Sequence, residues 1–391
     1  MSKSALVFGA SGVSGWAFVN ELLHDYPRPG IWKRINALTN RPLSQTSTLW
    51  PADSRLKLVA GIDLLNGSQE VLASSMSEIE GIDEVTHVYY LAYKASLDLE
   101  KEYKDAEAMF RRSIIAIDRV SSALEFIVLQ TGSKTYGCHL LSQRSSINMP
   151  LPLSESHERL PSPHAEQLFY HAQLDFLSSY AKGKTWNWCE TRPDIIVGFV
   201  PNRSFYSLAT SLGIFLALWK EVDGEGARCP FPGSEGGWEA LWNQGSSDML
   251  ARQAIHLSLT LPRERKGEAF NVADEKAPGS WKMKWPDICS HFELQGAPPP
   301  KEGTAIEVRR YIEDHMDAWK GMERKYGLKS GIVDSIFWSR RFEFACLSLF
   351  DFDRQFDMRR IYGSGFEEER TTKETWGSVF DRMKRANIIP S

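Results

Sequence analysis

The sequence predicts an α/β fold: a parallel sheet covered by helices on both faces, with a smaller, mostly helical lobe appended. Two observations carry that prediction. Short apolar runs alternate with helix-patterned segments through the first half of the chain, the layout of strands buried on both faces. A glycine-rich turn joins the first apolar run to the first helical pattern, where a doubly wound sheet places its ligand. Composition agrees. At 391 residues the chain exceeds the roughly 100–200 of one domain, and its 42% hydrophobic and 25% charged content is that of a globular protein. Such a chain buries a large core without disulfides or structural metals.

Taken in order, Ser4 to Phe8 is the first strand, and Val13, Ala17, Phe18 and Leu22 form the inward face of a helix that Pro27, Pro29 and Gly30 end. Ile35 to Leu38 reads as the second strand, Leu56 to Ala60 as the third and Val85 to Ala92 as the fourth. A long helix follows from about Leu99 to Leu124, then a fifth strand at Phe126 to Gln130 and a sixth at Asn187 to Thr191. Residues 139–165, rich in Ser, Pro and Leu, break the rhythm and suit a loop over a site. Regularity weakens after Pro201, and from Lys276 the chain turns aromatic and helical. The expected division is a dinucleotide-binding domain over 1–198, completed by about 243–273, and a substrate-binding lobe from 199–242 and 274–391.

Charge excludes some functions. With 46 Lys and Arg against 50 Asp and Glu, net −4, neither nucleic acid nor an anionic membrane surface is expected as the main partner. Cys138, Cys189, Cys229, Cys289 and Cys346 form no CxxC pair and read as reduced thiols, which suits the cytoplasm. No apolar run reaches the roughly 20 residues of a membrane span. The longest, Leu208 to Trp219, contains Thr210, Ser211 and Gly213. A strand pattern begins at once, where a signal peptide would stand. No metal site is expected.

Gly9-Ala10-Ser11-Gly12-Val13-Ser14-Gly15 fits GxxGxxG directly between strand and helix. Glycines let the backbone approach a pyrophosphate, and the helix N-terminus supplies N–H groups and a partial positive charge. Gly9, Ser11, Gly12, Val13 and Gly15 are therefore the expected phosphate cradle of a Rossmann-type sheet, with a spacing similar to that of short-chain dehydrogenases. The second strand ends Thr39-Asn40-Arg41-Pro42, without the acid that holds the ribose hydroxyls of NAD. Arg41 is available for a 2′-phosphate, so NADPH/NADP+ is the expected cofactor; the alternative is that Arg41 is a solvated loop residue. Asn40 and Asp63, at the ends of the second and third strands, are further expected cofactor contacts.

Short-chain dehydrogenases ordinarily pair a catalytic Tyr with Lys four residues later on one helix face. Here Tyr170 is followed at that spacing by Leu174. The fifth strand runs into Leu129-Gln130-Thr131-Gly132-Ser133-Lys134-Thr135-Tyr136-Gly137, with Gly132 where a Ser usually stands and Lys134 in the adjoining turn. That LQTGxKxY stretch, Phe169-Tyr170 with Asp175 five residues on, and Arg192-Pro193 resemble the progesterone 5β-reductase/iridoid synthase-like family of atypical extended short-chain dehydrogenases. Val85 to Tyr90, Glu268 to Val272, and Gly363-Ser364-Gly365-Phe366 through Trp376 to Pro390 extend the resemblance over the whole chain.

The resemblance implies NADPH-dependent reduction of an activated C=C bond. Hydride goes to the carbon β to a carbonyl, and the charge reaching the carbonyl oxygen is answered by an oxyanion donor. It assigns Tyr170 as that donor and Lys134 as its electrostatic partner and ribose contact. The sequence departs from the family at His171, where a second aromatic hydroxyl is usual, and at Ala92-Tyr93-Lys94-Ala95; His171 is expected to be packing. Tyr93, Tyr136 and Phe366 are the expected substrate contacts; Phe205, Trp238, Trp242 and Trp338 are further candidate apolar walls, most of these aromatics being expected in the core. Glu367 to Arg370 is expected to be a solvated charge run. The expected partner is a small apolar carbonyl compound, and the family analogy allows a homodimer. Two readings stay open beside the enone reductase: a carbonyl reductase or epimerase, and an NADP(H)-binding isomerase, cyclase or sensor with no net redox step.

Overall fold

A computed structural model describes residues 2–96, 98–142, 147, 149–201, 206–301, 306–334 and 342–391 of the chain. Among them are β1 (Lys3–Phe8), β2 (Trp32–Thr39), β3 (Leu56–Ala60), β4 (His87–Tyr90), β5 (Phe126–Gln130), β6 (Asn187–Arg192), β7 (Ile196–Val197), β8 (Arg228–Pro230), β9 (Gly245–Ser246), β10 (Ala269–Asn271) and β11 (Gln295–Ala297). Seven of these form one parallel sheet in the order β10-β6-β5-β4-β1-β2-β3; β7 pairs with β9 and β8 with β11. The six strands expected from the sequence are thus all present, and β10 extends the sheet beside β6.

Alternation along β1 decides which core each side chain joins. Ala5 and Val7 meet Phe18 and Leu22 of the Val13–Leu23 helix and Ile255 of the Ser247–Thr260 helix. Leu6 and Phe8 face the other way, toward Phe110 and Ile114 of the Leu99–Val120 helix and Leu177 of the Phe169–Tyr180 helix. Both faces are covered, which is why β1 reads as an almost unbroken apolar run. Beyond β3 the chain crosses to the other side of β1, so the loops leaving β1 and β4 diverge and open a crevice at the strands' carboxyl ends.

Element boundaries differ from expectation where a side chain intervenes. The long helix stops at Val120, four residues short of Leu124, because the buried Ser121 takes extended backbone and its hydroxyl donates to the Val85 carbonyl at 2.7 Å. β2 begins earlier, at Trp32, whose buried indole donates to the Tyr26 carbonyl at 2.8 Å. Two of the candidate pocket walls are core, as expected for most of them. Trp238 packs on Phe231 at 5.3 Å between ring centroids, and Trp242 lies 5.3 Å from Trp281 with no exposed surface. Phe205 and Trp338 lie outside the described residues. Glu367 to Arg370 is not simply solvated either. Glu368 accepts from Tyr26 at 2.6 Å and from Arg252 at 2.7 Å, while Arg370 and Arg382 both reach the buried Asp248. The run therefore straps the C-terminal segment to the Rossmann sheet's helices.

His87, at the start of β4, is buried between Trp32 and Phe126, with Nε2 3.2 Å from the Ser258 carbonyl. Burial pushes its pKa down from 6.5 to about 4. The unfolded chain therefore binds the proton more tightly than the folded one, so stability is full above pH 6.5 and lost as pH falls toward 4. The loss by pH 4 is about 3 kcal/mol from this residue. Denaturant unfolding at pH 7 and pH 4.5 should show it, and His87→Gln should flatten the difference; an unchanged difference would refute the assignment.

Candidate active site

Loops from the carboxyl ends of the sheet and the start of one helix converge on one cavity of about 610 Å³. The β1 loop contributes Ser11, Gly12, Val13 and Gly15, the β2 end Arg41, and the β4 end Tyr93. The β5 end contributes Gly132 and Lys134, and the Phe169–Tyr180 helix contributes Tyr170. Both members of the expected Tyr–Lys pair thus line the same cavity as the glycine turn.

The first loop is shaped by close approach. Gly9 has φ +82°, and a Cβ on it would lie 2.8 Å from the Ala92 backbone. A Cβ on Gly15 would lie 2.1 Å from the Gly9 carbonyl oxygen, so the helix packs directly on the turn. Gly12 caps the Val13–Leu23 helix with extended backbone and no side-chain hydrogen bond, so the helix's first N–H groups, on residues that line the cavity, have no side-chain cap. That cradle, which side chains would fill, fits a pyrophosphate. The exposed Arg41 guanidinium on the same wall fits an additional phosphate.

Tyr170 stands in the first turn of its helix, its ring 4.7 Å from Phe169 and edge-on to it. Gly132 lies beside it. A Cβ at Gly132 would sit 3.5 Å from the Tyr170 hydroxyl, an ordinary contact, and 3.2 Å from the Pro193 carbonyl, so the β5 turn adjoins the hydroxyl. Burial pushes the phenol above its ordinary range, with Tyr206 and Glu102 adding to it, so it stays protonated and able to donate. Lys134 sits in the short turn Ser133–Tyr136; burial lowers its pKa and the Glu102 carboxylate opposes that loss. The ammonium has no carboxylate hydrogen-bonded to it among the described contacts, which leaves its donors to the cavity.

Of the other expected contacts, one lines the cavity and the rest fall elsewhere. Tyr93 is on the cavity wall, stacked on Phe169 at 5.6 Å, and its hydroxyl donates to Glu102. Tyr136 turns to the opposite side of its turn, donating to Asn271 at 2.6 Å and receiving from Arg192 at 3.3 Å. Phe366 is buried edge-on to His256 at 5.5 Å and forms no part of the cavity wall. Asp63 is spent on its own turn, accepting from the Leu65 and Asn66 N–H groups at 2.8 and 3.1 Å, with the Asn66 side chain first in holding its carboxyl low. Asn40 is exposed, its carbonyl accepting from Gly61, and does not line the cavity. His171 is buried, with neither ring nitrogen hydrogen-bonded among the described residues.

The sequence reading missed several wall residues. His139 lines the cavity from the loop after β5; burial and the Lys134 ammonium push its pKa down to about 4, so it is neutral at pH 7. Tyr206, Phe342 and Phe350 form an aromatic wall from the second lobe, and Gln130 reaches back to Ser14 at 2.9 Å. Glu102, which accepts from Tyr93 and is not itself on the wall, had one signal available, its place in the first turn of the long helix.

Comparison with known proteins agrees with this fold. A family model described as a PRISE-like Rossmann-fold domain matches residues 5–390. The chain is 36% identical to the short chain dehydrogenase ausT of Aspergillus calidoustus, over 100% of this chain and 95% of that protein. It is 26% identical to a 3-oxo-Delta(4,5)-steroid 5-beta-reductase of Arabidopsis thaliana, over 99% of this chain and 93% of that protein. Among solved structures, a putative epimerase from Burkholderia cenocepacia superposes with a TM-score of 0.63 at 14% identity, covering 98% of each chain, a likeness of fold.

Proposed function

The chain belongs to the PRISE-like Rossmann-fold family of short-chain dehydrogenases, and from that premise we propose that it is an NADPH-dependent reductase of α,β-unsaturated carbonyl compounds. The observation that carries the reading is the shared cavity: a protonated phenol, a half-buried ammonium and a phosphate cradle line one crevice. The bound dinucleotide supplies the hydride. The chain's own residues do the rest. Tyr170 donates its O–H to the substrate carbonyl oxygen, where charge collects as the β-carbon gains hydride. Lys134 strengthens that donor and would hold the nicotinamide ribose. The α-carbon then takes a proton from water. Gly132 supports C=C rather than alcohol–carbonyl chemistry, because the Ser usual there would stand beside the Tyr170 hydroxyl as a second donor. The aromatic wall of Phe169, Tyr206, Phe342 and Phe350 suits an apolar skeleton.

An NADPH-oxidation assay across enones, enals, ketones and aldehydes tests the reading, with product analysis for the saturated carbonyl. Consumption with ketones but not enones would overturn it, as would tight NADPH binding with no consumption at all. Arg41 gives a separate expectation. Arg41→Ala should weaken NADPH binding about tenfold and leave NADH binding nearly unchanged, since only the former carries the 2′-phosphate. Equal affinity of the unaltered chain for the two dinucleotides, measured by fluorescence titration, would remove Arg41 from the cofactor site.

A further inference from the structure

A buried ion pair links the second lobe to the turn that carries Lys134. Asp194 follows Pro193 at the end of β6 and lines the cavity. Its Oδ1 accepts from the Ser133 hydroxyl at 2.8 Å, and its Oδ2 accepts from Arg354 Nε at 2.7 Å. The Ser133 N–H also donates to the Pro193 carbonyl at 2.9 Å, so the residue before Lys134 is fixed to the β6 end by main chain and side chain together. Both charged side chains are almost wholly enclosed, Arg354 at 1% and Asp194 at 2% exposure. Arg354 is itself fixed. Its guanidinium lies 4.8 Å from the Phe350 ring centre and 5.3 Å from that of Trp242. Its Nη1 faces the Phe350 and Phe352 carbonyls at 3.3 and 3.4 Å, and its main-chain N–H donates to Leu241.

A charge pair this dry is poor evidence for stability, since apolar residues fill such space as well. What it adds is geometry. A carboxylate with one oxygen on each partner sets the separation between the Ser133 turn and the Phe350 segment, and both bear on the cavity. We infer that Arg354 and Asp194 are positioning residues that hold the Ser133–Lys134 turn in register with the aromatic wall, so that the Lys134 ammonium meets substrate and cofactor together. The inference rests on the reductase reading only through the task given to Lys134. Neither residue donates to a reacting atom; each acts through the turn.

The test is a double-mutant cycle on the full chain. Ser133→Ala, Asp194→Asn and Arg354→Lys are each combined with Lys134→Met. The readouts are kcat and KM on 2-cyclohexen-1-one and, separately, the NADPH dissociation constant. Each single variant is expected to lower kcat about tenfold with little change in KM, and to cost nothing further where Lys134 is already gone. Ser133→Ala removes one hydroxyl at a turn, so it keeps the test alive if either charge variant misfolds. Equal losses with and without Lys134 would make the pair merely structural and overturn the inference. So would unchanged kinetics and affinity in Ser133→Ala and Asp194→Asn, or a Lys134→Met variant that alters neither readout. An unaltered chain that reduces no enone refutes the reductase reading instead, and the cycle is then decided on the NADPH affinity.

Discussion

Tyr170→Phe is expected to lower kcat/KM on an enone by about a hundredfold to a thousandfold, with the NADPH dissociation constant unchanged. The magnitude is that of removing one oxyanion donor from a water-poor site. Two features of this chain place the effect at the larger end of that range. The phenol is half-buried and its desolvation pushes it above its ordinary range, so it retains its proton at every pH at which the protein would be assayed. No side chain stands at Gly132 to replace it, because that position presents only backbone. Lys134→Met should also lower the rate, but it should weaken NADPH binding as well, which separates the two roles. A pH profile adds a sign. Burial lowers the Lys134 pKa, so its charge is present below that pKa and lost as pH rises through it, earlier than for a solvated lysine. The rate should fall on the alkaline side, and Lys134→Met should abolish that limb. Near-full activity in Tyr170→Phe would leave the phenol as a structural group and end the donor assignment.

How far the sequence could be read depends on which interactions are local. The strands and the glycine turn were legible because parallel strands buried on both faces leave continuous apolar runs, and because Gly9 and Gly15 answer to contacts within their own loop and its neighbour. Tyr170, Lys134, Tyr93 and Arg41 were legible for a related reason: each follows a strand end or opens a helix, and doubly wound sheets gather such positions at one edge. Tyr136 shows the limit. Two residues past Lys134 it shares the same short turn, yet that turn directs it to Asn271 and Arg192, on the side away from the cavity. Phe366 and Trp242 show another, since an aromatic letter carries no sign of whether its ring faces a pocket or a core. Asp194 and Arg354 lie 160 positions apart, and only the assembled second lobe brings them to 2.7 Å.

The three glycines of the first turn should fail in different ways, which makes them the sharpest probe of cofactor binding. Gly15→Ala puts a methyl 2.1 Å from the Gly9 carbonyl oxygen and 2.7 Å from its carbonyl carbon, both backbone atoms that cannot swing aside. The Val13–Leu23 helix must then move off β1, disturbing Phe18 and Leu22 in the core, at a cost of about 3 kcal/mol. Gly9→Ala meets the Ala92 backbone at 2.8 Å and must also hold φ +82°, so it too should fold poorly. Gly12→Ala is different. Its φ of −83° suits any residue and its Cβ would lie 3.4 Å from the nearest described atom, an ordinary contact. The fold should therefore survive, while the new methyl stands where the backbone must approach a pyrophosphate. Thermal unfolding with and without NADPH separates the cases, because a ligand bound to the folded state raises the midpoint by mass action. Gly12→Ala should match the unaltered chain without NADPH and gain little when it is added. Gly15→Ala should unfold earlier in both conditions. Unaltered stability in Gly15→Ala would mean the helix does not press on the turn as described, and a full NADPH shift in Gly12→Ala would move the phosphates away from it.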